Sequence, residues 1–158
     1  MSRPAETTLL SIDIDGVLHG LDAAYAVNDS RLPAAELLAA GLFAHRQVLD
    51  DLLAEHAHVD LLVHSSWRLA CDSNRIRELL GPLGHRMRGV STPTIHDREA
   101  SIKDMLRRWR VPRDRVVVLD DQPFFFRELR SNLVVCPSDA GVPAVLLELD
   151  AALRRATR

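Results

Sequence analysis

The stretch LLSIDIDG, residues 9–16, decides the fold because an apolar run ends there in two acidic residues. The run predicts a buried strand over residues 9–14, and Asp13 and Asp15 lie where that strand ends. Gly16 follows them and supplies a flexible turn. A buried acid costs free energy unless it is hydrogen-bonded or its charge is compensated, so this pattern indicates a functional site.

Further apolar runs predict the other strands of a sheet. VDLLV at residues 59–63 and VVVL at residues 116–119 are the clearest, and residues 86–90 and 133–136 predict shorter strands. Segments with helical character lie between most of these runs. An alternation of strands with helices is typical of a parallel sheet that is covered on both faces.

The helical segments are recognised by apolar residues that recur at spacings of three and four. They cover residues 33–56 with a candidate break at Gly41, residues 74–80, the segment from the N-cap Asp97 to Trp109, and residues 144–155. Residues 17–33 indicate a loop or a small hairpin. The whole chain, residues 1–158, is therefore predicted to be a single α/β domain, a three-layer α/β/α sandwich with a central parallel sheet.

Composition narrows the class of protein. Hydrophobic residues make up 47% of the chain and charged residues 27%, with a net charge of −2, which is typical of a soluble globular protein. No run approaches the roughly 18 to 20 apolar residues of a membrane span, and residues 1–8 lack the apolar core of a signal peptide. We therefore expect a cytoplasmic protein without a membrane partner. Cys71 and Cys136 lie far apart in no metal-ligand spacing and are expected to be reduced thiols.

Three of the predicted strands end in polar residues: the first in Asp13 and Asp15, the second in Ser65 and Ser66, and VVVL in Asp120 and Asp121. If these strands are parallel neighbours, their polar ends meet at one edge of the sheet, where ligands bind in folds of this kind. Several carboxylates in one place repel each other unless a cation compensates them. Oxygen ligands of this type suit Mg²⁺, so the sequence predicts a magnesium site.

These motifs, in this order, resemble those of the haloacid dehalogenase (HAD) superfamily. DIDGVL at residues 13–18 is similar to its first motif, LLVHS at residues 61–65 to its second, and VVVLDD at residues 116–121 to its fourth. SSWR at residues 65–68 and the final LDD also resemble a bacterial branch of HAD domains associated with RNA repair proteins. The resemblance implies a Rossmann-like, HAD-type sheet, and the short gaps between the motifs imply a minimal cap or none.

The resemblance also implies a role for each matching residue. Asp13 would attack phosphorus and form an aspartyl-phosphate, and Asp15 would act first as general acid and then as general base. The backbone carbonyl of Asp15 would bind Mg²⁺, and Asp120, alone or with Asp121, would complete the metal site with Asp13. Ser65 would hydrogen-bond the phosphoryl group. The acid at Asp15 favours phosphoryl transfer over cleavage of a carbon–halogen bond.

Other residues near the motifs are candidates with alternatives. Gly16, Ser66 and Arg68 are candidate substrate contacts, although Ser66 could be structural and Arg68 could instead cap a loop. The superfamily's third motif requires a cation near the start of a helix, where Arg98 lies; Lys103, the only lysine, is the alternative. The two positions are about 140° apart around a helix, so both are not expected to face the site.

Three further groups stand outside the motifs. The arginines at positions 107, 108, 110, 113 and 115 are interpreted as a solvated face, with a phosphate-contacting patch as the alternative. His56 and His58 are expected in structural or surface roles. Of the three phenylalanines at residues 124–126, two are expected to enter the core and the third to line the mouth of the site.

The predicted function is Mg²⁺-dependent hydrolysis of a phosphomonoester. An open site often goes with large substrates in this superfamily, such as phosphorylated nucleic-acid ends or proteins. The resemblance to the branch associated with RNA repair favours phosphorylated nucleic-acid ends. A small phosphorylated metabolite is the alternative substrate, since residues 17–33 could form a lid. A phosphotransferase would look the same in sequence, and a non-catalytic binding module that keeps the fold is the alternative from another class.

Overall fold

The computed structural model describes residues 7–27 and 29–158, and within them five strands form one parallel sheet. The strands are β1 (Thr8–Ile12), β2 (Val59–Val63), β3 (Met87–Val90), β4 (Val116–Asp120) and β5 (Leu133–Val135). Their order across the sheet is β3-β2-β1-β4-β5. The central strand β1 pairs along its length with β2 and β4, so its last residue lies beside the ends of both neighbours.

Helices cover both faces of the sheet. They are α1 (Leu21–Ala26), α2 (Ala34–Ala39), α3 (Arg46–Leu53), α4 (Trp67–Ala70), α5 (Ser73–Leu80), α6 (Arg98–Trp109) and α7 (Leu146–Thr157). Alternate strand residues point to opposite faces: Leu10 belongs to the larger core cluster, with residues of α3, α5 and α7, whereas Leu9 belongs to the smaller cluster, with residues of α6. This arrangement confirms the predicted α/β/α architecture and parallel sheet.

The boundaries differ from the sequence prediction where local pattern is weakest. The segment at residues 33–56 is divided into α2 and α3 by a turn in which Gly41 and Phe43 have φ angles of 93° and 59°. The predicted loop at residues 17–33 contains the short helix α1, which has no buried residue and therefore shows no apolar stripe. The predicted strand at residues 9–14 ends earlier, at Ile12, which leaves Asp13 and Asp15 in the loop beyond it.

The topology places a crevice between the ends of β1 and β4. From β1 the chain builds outward through β2 and β3, and it then returns to the other side of β1 to form β4 and β5. Such a reversal of strand order opens a crevice at the carboxyl ends of the central strands. At the opposite edge the first strand meets the last helix, since Thr8 Oγ1 lies 3.4 Å from Thr157 Oγ1. No helix in the described residues has the length and apolar character needed to cross a membrane.

Candidate active site

Three buried carboxylates lie together at the carboxyl edge of the sheet. Oxygens of Asp13, Asp120 and Asp121 lie within 4.8 Å of one another. The backbone places them there, because the amide of Asp13 donates to Leu119 O at 3.0 Å and so continues the pairing of β1 with β4. We call these three residues the carboxylate cluster. Its position in the crevice is the one that the parallel sheet predicts for a ligand site.

Asp13 is buried within this cluster and held by two donors. Its Oδ1 accepts from the amide of Ile14 at 2.7 Å, and its Oδ2 accepts from Arg98 Nη1 at 3.0 Å. Burial, with a further contribution from the negative charge of Asp120, raises the pKa of Asp13 to about 7, although Arg98 and Ile14 act in the opposite direction. A carboxylate with a pKa this high requires added positive charge to be fully ionised at neutral pH.

Asp120 is fully buried but has three hydrogen-bond donors. Oδ2 accepts from Arg98 Nη1 at 2.7 Å and from His64 Nε2 at 2.8 Å, and Oδ1 accepts from the amide of Gln122 at 2.8 Å. Burial alone would raise the pKa of Asp120, but the hydrogen bond from His64, the charge of Arg98 and the amide of Gln122 outweigh it and lower the pKa. Asp120 is therefore ionised beside Asp13.

His64 is a site residue that sequence reasoning missed. It precedes Ser65, and its ring is fully buried between Ser11 and Asp120, with Nδ1 2.8 Å from Ser11 Oγ. Burial lowers the pKa of His64, so the ring is neutral and donates from Nε2 to Asp120 while its Nδ1 accepts from the hydroxyl. A polar residue at the end of the apolar run LLVH was the available signal.

Asp121 carries the features expected of a metal ligand. Among the described residues its buried Oδ1 has no hydrogen-bond partner, while Oδ2 accepts from Ser138 Oγ at 2.7 Å. Burial raises the pKa of Asp121, and the charge of Asp120 adds to this effect. A Cβ added at Gly16 would lie 2.3 Å from Asp121 Oδ2, so only glycine lets the first loop pack this closely on the cluster. Three carboxylates with an unpartnered oxygen fit a hard divalent cation.

Asp15 lies at the rim of the cluster and is oriented by two donors. Its Oδ1 accepts from His19 Nε2 at 2.8 Å and from Trp67 Nε1 at 3.0 Å. Burial acts to raise the pKa of Asp15, but these two hydrogen bonds together outweigh it and lower the pKa. Neither His19 nor Trp67 was predicted as a site residue. His19 follows the first motif and Trp67 the second, but no local pattern shows that they meet at Asp15.

A small pocket adjoins Asp15. Its volume is about 220 Å³, and it is lined by Asp15, Ala24, Val27, Ser30, Leu42, Ser66, Trp67 and Ala70. Ser66 is exposed at this pocket, which is compatible with the predicted substrate contact. No arginine or lysine is among the lining residues. A group that enters the pocket would therefore meet one carboxylate, that of Asp15, and otherwise uncharged side chains.

The structure brings Arg98 into the cluster and leaves Lys103 outside it. Arg98 is the first residue of α6, and its Nη1 contacts both Asp13 and Asp120. Lys103 instead pairs with the exposed carboxylate of Glu128, with Nζ 2.5 Å from Oε1. Arg98 and Lys103 therefore lie on different sides of α6, as expected for two positions about 140° apart around a helix.

Ser65 and Arg68 stabilise the loop that follows β2. Ser65 is fully buried, and its Oγ accepts from the amide of Trp67 at 3.3 Å. Arg68 is also buried, and it donates to the carbonyls of His64, Ser65 and Ile95 at 3.0, 3.1 and 2.9 Å. This is the loop-capping arrangement that was the alternative to a substrate contact for Arg68.

The phenylalanines of the loop after β4 differ from the prediction. Only Phe126 enters the core, at 2% exposure, whereas Phe124 and Phe125 are 72% and 41% exposed. The prediction of two core phenylalanines was therefore wrong. The loop is anchored at Gln122 and again by Phe126, and the short helical turn between these anchors directs the two other rings outward.

The groups outside the motifs lie at the surface or in structural contacts. In the arginine run, Arg107 pairs with Asp104 and Arg113 with Glu128, which matches a solvated face. His56 is buried, with Nε2 2.8 Å from Asp150 Oδ1, and so has the structural role expected of it.

The fold and the order of the motifs define a HAD-like hydrolase domain, and comparison with known proteins agrees. A family described as the HAD domain in Swiss Army Knife RNA repair proteins matches residues 9–145, so the chain belongs to that family. In fold it is similar to a haloacid dehalogenase-like family hydrolase from Streptococcus pneumoniae, with 13% identity, a TM-score of 0.51 and coverage of 92% of this chain and 91% of that one. A search of curated proteins gave no significant match.

Proposed function

We propose that this chain is a Mg²⁺-dependent phosphomonoesterase that uses Asp13 as a covalent nucleophile. The observation that supports this proposal is that one loop carries two acids whose surroundings differ. Asp13 lies in the carboxylate cluster against Arg98, and Asp15 lies beside an open pocket. Phosphoryl transfer to and from a carboxylate requires a nucleophile next to a cation and an acid next to the leaving group.

In the first step a carboxylate oxygen of Asp13 forms a bond to phosphorus and the bond from phosphorus to the leaving oxygen breaks. The leaving oxygen takes a proton from Asp15, whose Oδ2 has no hydrogen-bond partner in the described residues. The pKa of Asp15 is lowered in the free protein, so this proton must arrive with the substrate. A phosphomonoester, with a second pKa near 6, still carries such a proton in part at neutral pH.

In the second step water attacks phosphorus and the bond to Asp13 breaks. Asp15 accepts one proton of that water and passes it to the departing inorganic phosphate, which returns both acids to the states they have in the free protein. Arg98 contacts the Asp13 oxygen and so lies where negative charge develops on the transferring group.

The carboxylate cluster is the proposed magnesium site. Asp13, Asp120 and Asp121 would hold the ion, with the unpartnered Oδ1 of Asp121 as one of its ligands. When bound, Mg²⁺ would supply positive charge that compensates the three carboxylates and the phosphoryl oxygens. The raised pKa values of Asp13 and Asp121 are consistent with a site that is built for an additional cation.

Phosphorylated nucleic-acid ends are the substrate class that we propose. The family name refers to RNA repair proteins. Between the first motif and β2 the described residues form only the short helices α1, α2 and α3, so no large cap is built there. A small phosphorylated metabolite is the second candidate. It is favoured by the 220 Å³ pocket beside Asp15, which has no cation to receive further phosphates.

Release of phosphate from p-nitrophenyl phosphate tests the proposed chemistry. We expect activity that requires Mg²⁺ and is abolished by EDTA, and a loss of at least about a thousandfold in Asp13→Asn because the nucleophile is removed. Asp114→Asn, an exposed acid outside the cluster, is the matched control and should retain activity. Activity in Asp13→Asn near that of the wild type would exclude the aspartyl-phosphate mechanism.

The two substrate classes are separated by a comparison of kcat/KM. Terminally phosphorylated oligoribonucleotides are measured beside small sugar phosphates under the same conditions. A preference for the oligonucleotides supports the nucleic-acid end, whereas a preference for the sugar phosphates assigns the protein to the second candidate.

A further inference from the structure

Two aromatic side chains in the loop after β4 form an exposed patch. Phe124 is 72% exposed and Phe125 is 41% exposed, and their ring centroids lie 4.6 Å apart. Single exposed apolar residues are ordinary in soluble proteins. Two adjoining rings form a continuous apolar surface, which is the kind of patch that marks a binding site when it borders a functional centre. We call these two residues the Phe124–Phe125 surface.

This surface is continuous with the carboxylate cluster through Arg98. The guanidinium carbon of Arg98 lies 4.6 Å from the ring centroid of Phe125, and Arg98 Nη1 lies 3.0 Å from Asp13 Oδ2. The ring of Phe125 thus rests on the same cation that contacts the proposed nucleophile. When the phosphate of a substrate occupies the cluster, the groups next to that phosphate are within reach of the two rings.

The loop that carries the rings is held in place on both sides. At its start the amide of Gln122 donates to Asp120 Oδ1 at 2.8 Å, and after the exposed pair Phe126 is buried in the core. Further along, Glu99 Oε1 accepts from the amide of Leu129 at 2.6 Å. An ordered backbone therefore presents the rings to solvent, so little conformational entropy is lost when a ligand packs on them.

We propose that the Phe124–Phe125 surface stacks on a base of the nucleic-acid strand whose terminal phosphate enters the cluster. This inference rests on the proposed nucleic-acid substrate, and it adds a binding site for the strand beside its phosphate. A phenylalanine ring offers a π-face and no hydrogen-bonding group. It therefore binds a flat base without reading the edge of that base, which makes the contact tolerant of sequence.

Positive charge next to the rings favours a nucleic-acid strand as the occupant. Arg127 and Arg130 are exposed in the same loop, and Arg130 Nη1 lies 3.3 Å from Pro123 O, the carbonyl just before Phe124. A strand that leaves the cluster carries one phosphate on each nucleotide. Aromatic rings combined with nearby cations are the arrangement that binds single-stranded nucleic acids, whereas an apolar protein partner would gain nothing from the cations.

Equilibrium binding tests the proposal in the Asp13→Asn protein, where turnover is blocked. The probe is a fluorescently labelled single-stranded oligoribonucleotide with a terminal phosphate, and in a matched series one base at a time is replaced by an abasic residue. We expect one abasic position to raise Kd about tenfold, which corresponds to about 1.4 kcal/mol and lies within the range for one stacked base. Adding Phe124→Leu or Phe125→Leu should remove the penalty at that position.

Phe124→Tyr and Phe125→Tyr are the matched controls, because tyrosine keeps the aromatic face and should keep the abasic penalty. The proposal is overturned if the intact strand binds but no abasic position matters, or if the leucine variants keep the same penalty. A wild-type protein that hydrolyses p-nitrophenyl phosphate, with no measurable binding of the phosphorylated strand to its Asp13→Asn form, would overturn the stacking site and the nucleic-acid substrate but leave the phosphatase chemistry intact.

Discussion

The imidazole of His19 lies between the amide of Phe43 and the carboxylate of Asp15. Phe43 N is 3.0 Å from His19 Nδ1, and a backbone amide can only donate, so Nδ1 must accept. The ring proton of the neutral imidazole is therefore on Nε2, which donates to Asp15 Oδ1 at 2.8 Å. This pair of contacts orients the carboxylate of Asp15 and leaves Oδ2 as the oxygen available for the proposed proton transfer to the leaving group.

Replacing His19 should affect poor leaving groups most. In His19→Ala we expect kcat for an alkyl phosphate to fall about 10- to 100-fold, since positioned acid catalysis contributes about that much or more, and kcat for 2,4-dinitrophenyl phosphate to change little because that leaving group needs no proton. His19→Gln, which can still donate to Asp15, should recover part of the loss. His58→Ala, an exposed histidine bonded to Thr157, is the control. Equal losses on both substrates would contradict a role through Asp15.

The raised pKa of Asp13 has a consequence for stability. Its folded-state pKa of about 7 lies above the unfolded value of 3.8, so the native state binds more protons between these values and stability from this group falls as pH rises from about 4 to 7. In EDTA we expect Asp13→Asn to be more stable than the wild type at pH 8 by roughly 1–3 kcal/mol, with a smaller difference at pH 5. Urea denaturation at both pH values measures this.

Asp114→Asn, at an exposed acid, serves as the control for that comparison and should show no such pH-dependent gain. Saturating Mg²⁺ should reduce the advantage of Asp13→Asn, because the ion stabilises the ionised wild-type cluster. Equal free energies of unfolding of the wild type and Asp13→Asn in EDTA at pH 8 would show that the ionised Asp13 does not destabilise the native state.

At the scale of elements, two consecutive residues in the first turn of α6 contact two different parts of the site. Arg98 points into the carboxylate cluster, while Glu99 is buried and accepts from the amides of Arg127 and Leu129. Asp97 caps the helix by accepting from the amide of Ala100 at 2.7 Å. The start of one helix thus positions the proposed cation and the loop that carries the Phe124–Phe125 surface.

Glu99→Ala should weaken this junction. The buried amide of Leu129 and the partly buried amide of Arg127 would lose their acceptor, so we expect a decrease of about 1–3 kcal/mol in the free energy of unfolding. Glu128→Ala removes an exposed carboxylate paired with Lys103 and Arg113 and should cost less than about 1 kcal/mol. Urea denaturation of the two variants checks the difference, and equal losses would show that the buried contacts of Glu99 contribute no more than a surface pair.

The sequence predicted those strands and helices whose own residues show a clear hydrophobic pattern or a cap. The strands at VDLLV and VVVL were found because buried strands appear as short apolar runs. The helix after Asp97 was found because its apolar residues recur at helical spacing and an aspartate is a favoured N-cap residue. The short helix α1 was missed because it buries no residue. The end of the first strand was predicted at Ile14 rather than at Ile12, because apolar and acidic residues alternate there.

Contacts between distant residues account for what the sequence could not predict in the site. The acids of the cluster were identified because they stand at the ends of two predicted strands, Asp13 at the first and Asp120 and Asp121 at VVVL. His64 and Asp120 are 56 positions apart, and Trp67 and Asp15 are 52 positions apart, so their pairing depends on strand order rather than on any local spacing. The same holds for the exposed rings of Phe124 and Phe125, whose direction is set by the anchors on either side.

For the molecule as a whole, the packing of the sheet predicts unequal reactivity of the two cysteines. Cys136 follows β5 and is buried, and burial, with the nearby acids, raises the pKa of its thiol to about 12. Cys71 follows α4 and is only half-buried. At pH 8 we expect one thiol per native chain to react with Ellman's reagent and two after unfolding, because the reactive species is the thiolate.

Cys71→Ser is the variant that checks the assignment, since its native form should show no fast-reacting thiol. Fast reaction of both cysteines in the native wild type would mean that the core around Cys136 opens readily.

The contact between Thr8 and Thr157 gives the fold a nearly circular path. The backbone begins β1 and finishes α7 at the same point, on the edge of the sheet remote from Asp13. A short peptide bridge between these two points could close the path, so that the chain could be opened at another loop. In such a circularly permuted protein the new junction would lie at the edge of the sheet remote from the carboxylate cluster, so we expect the cluster to keep its geometry.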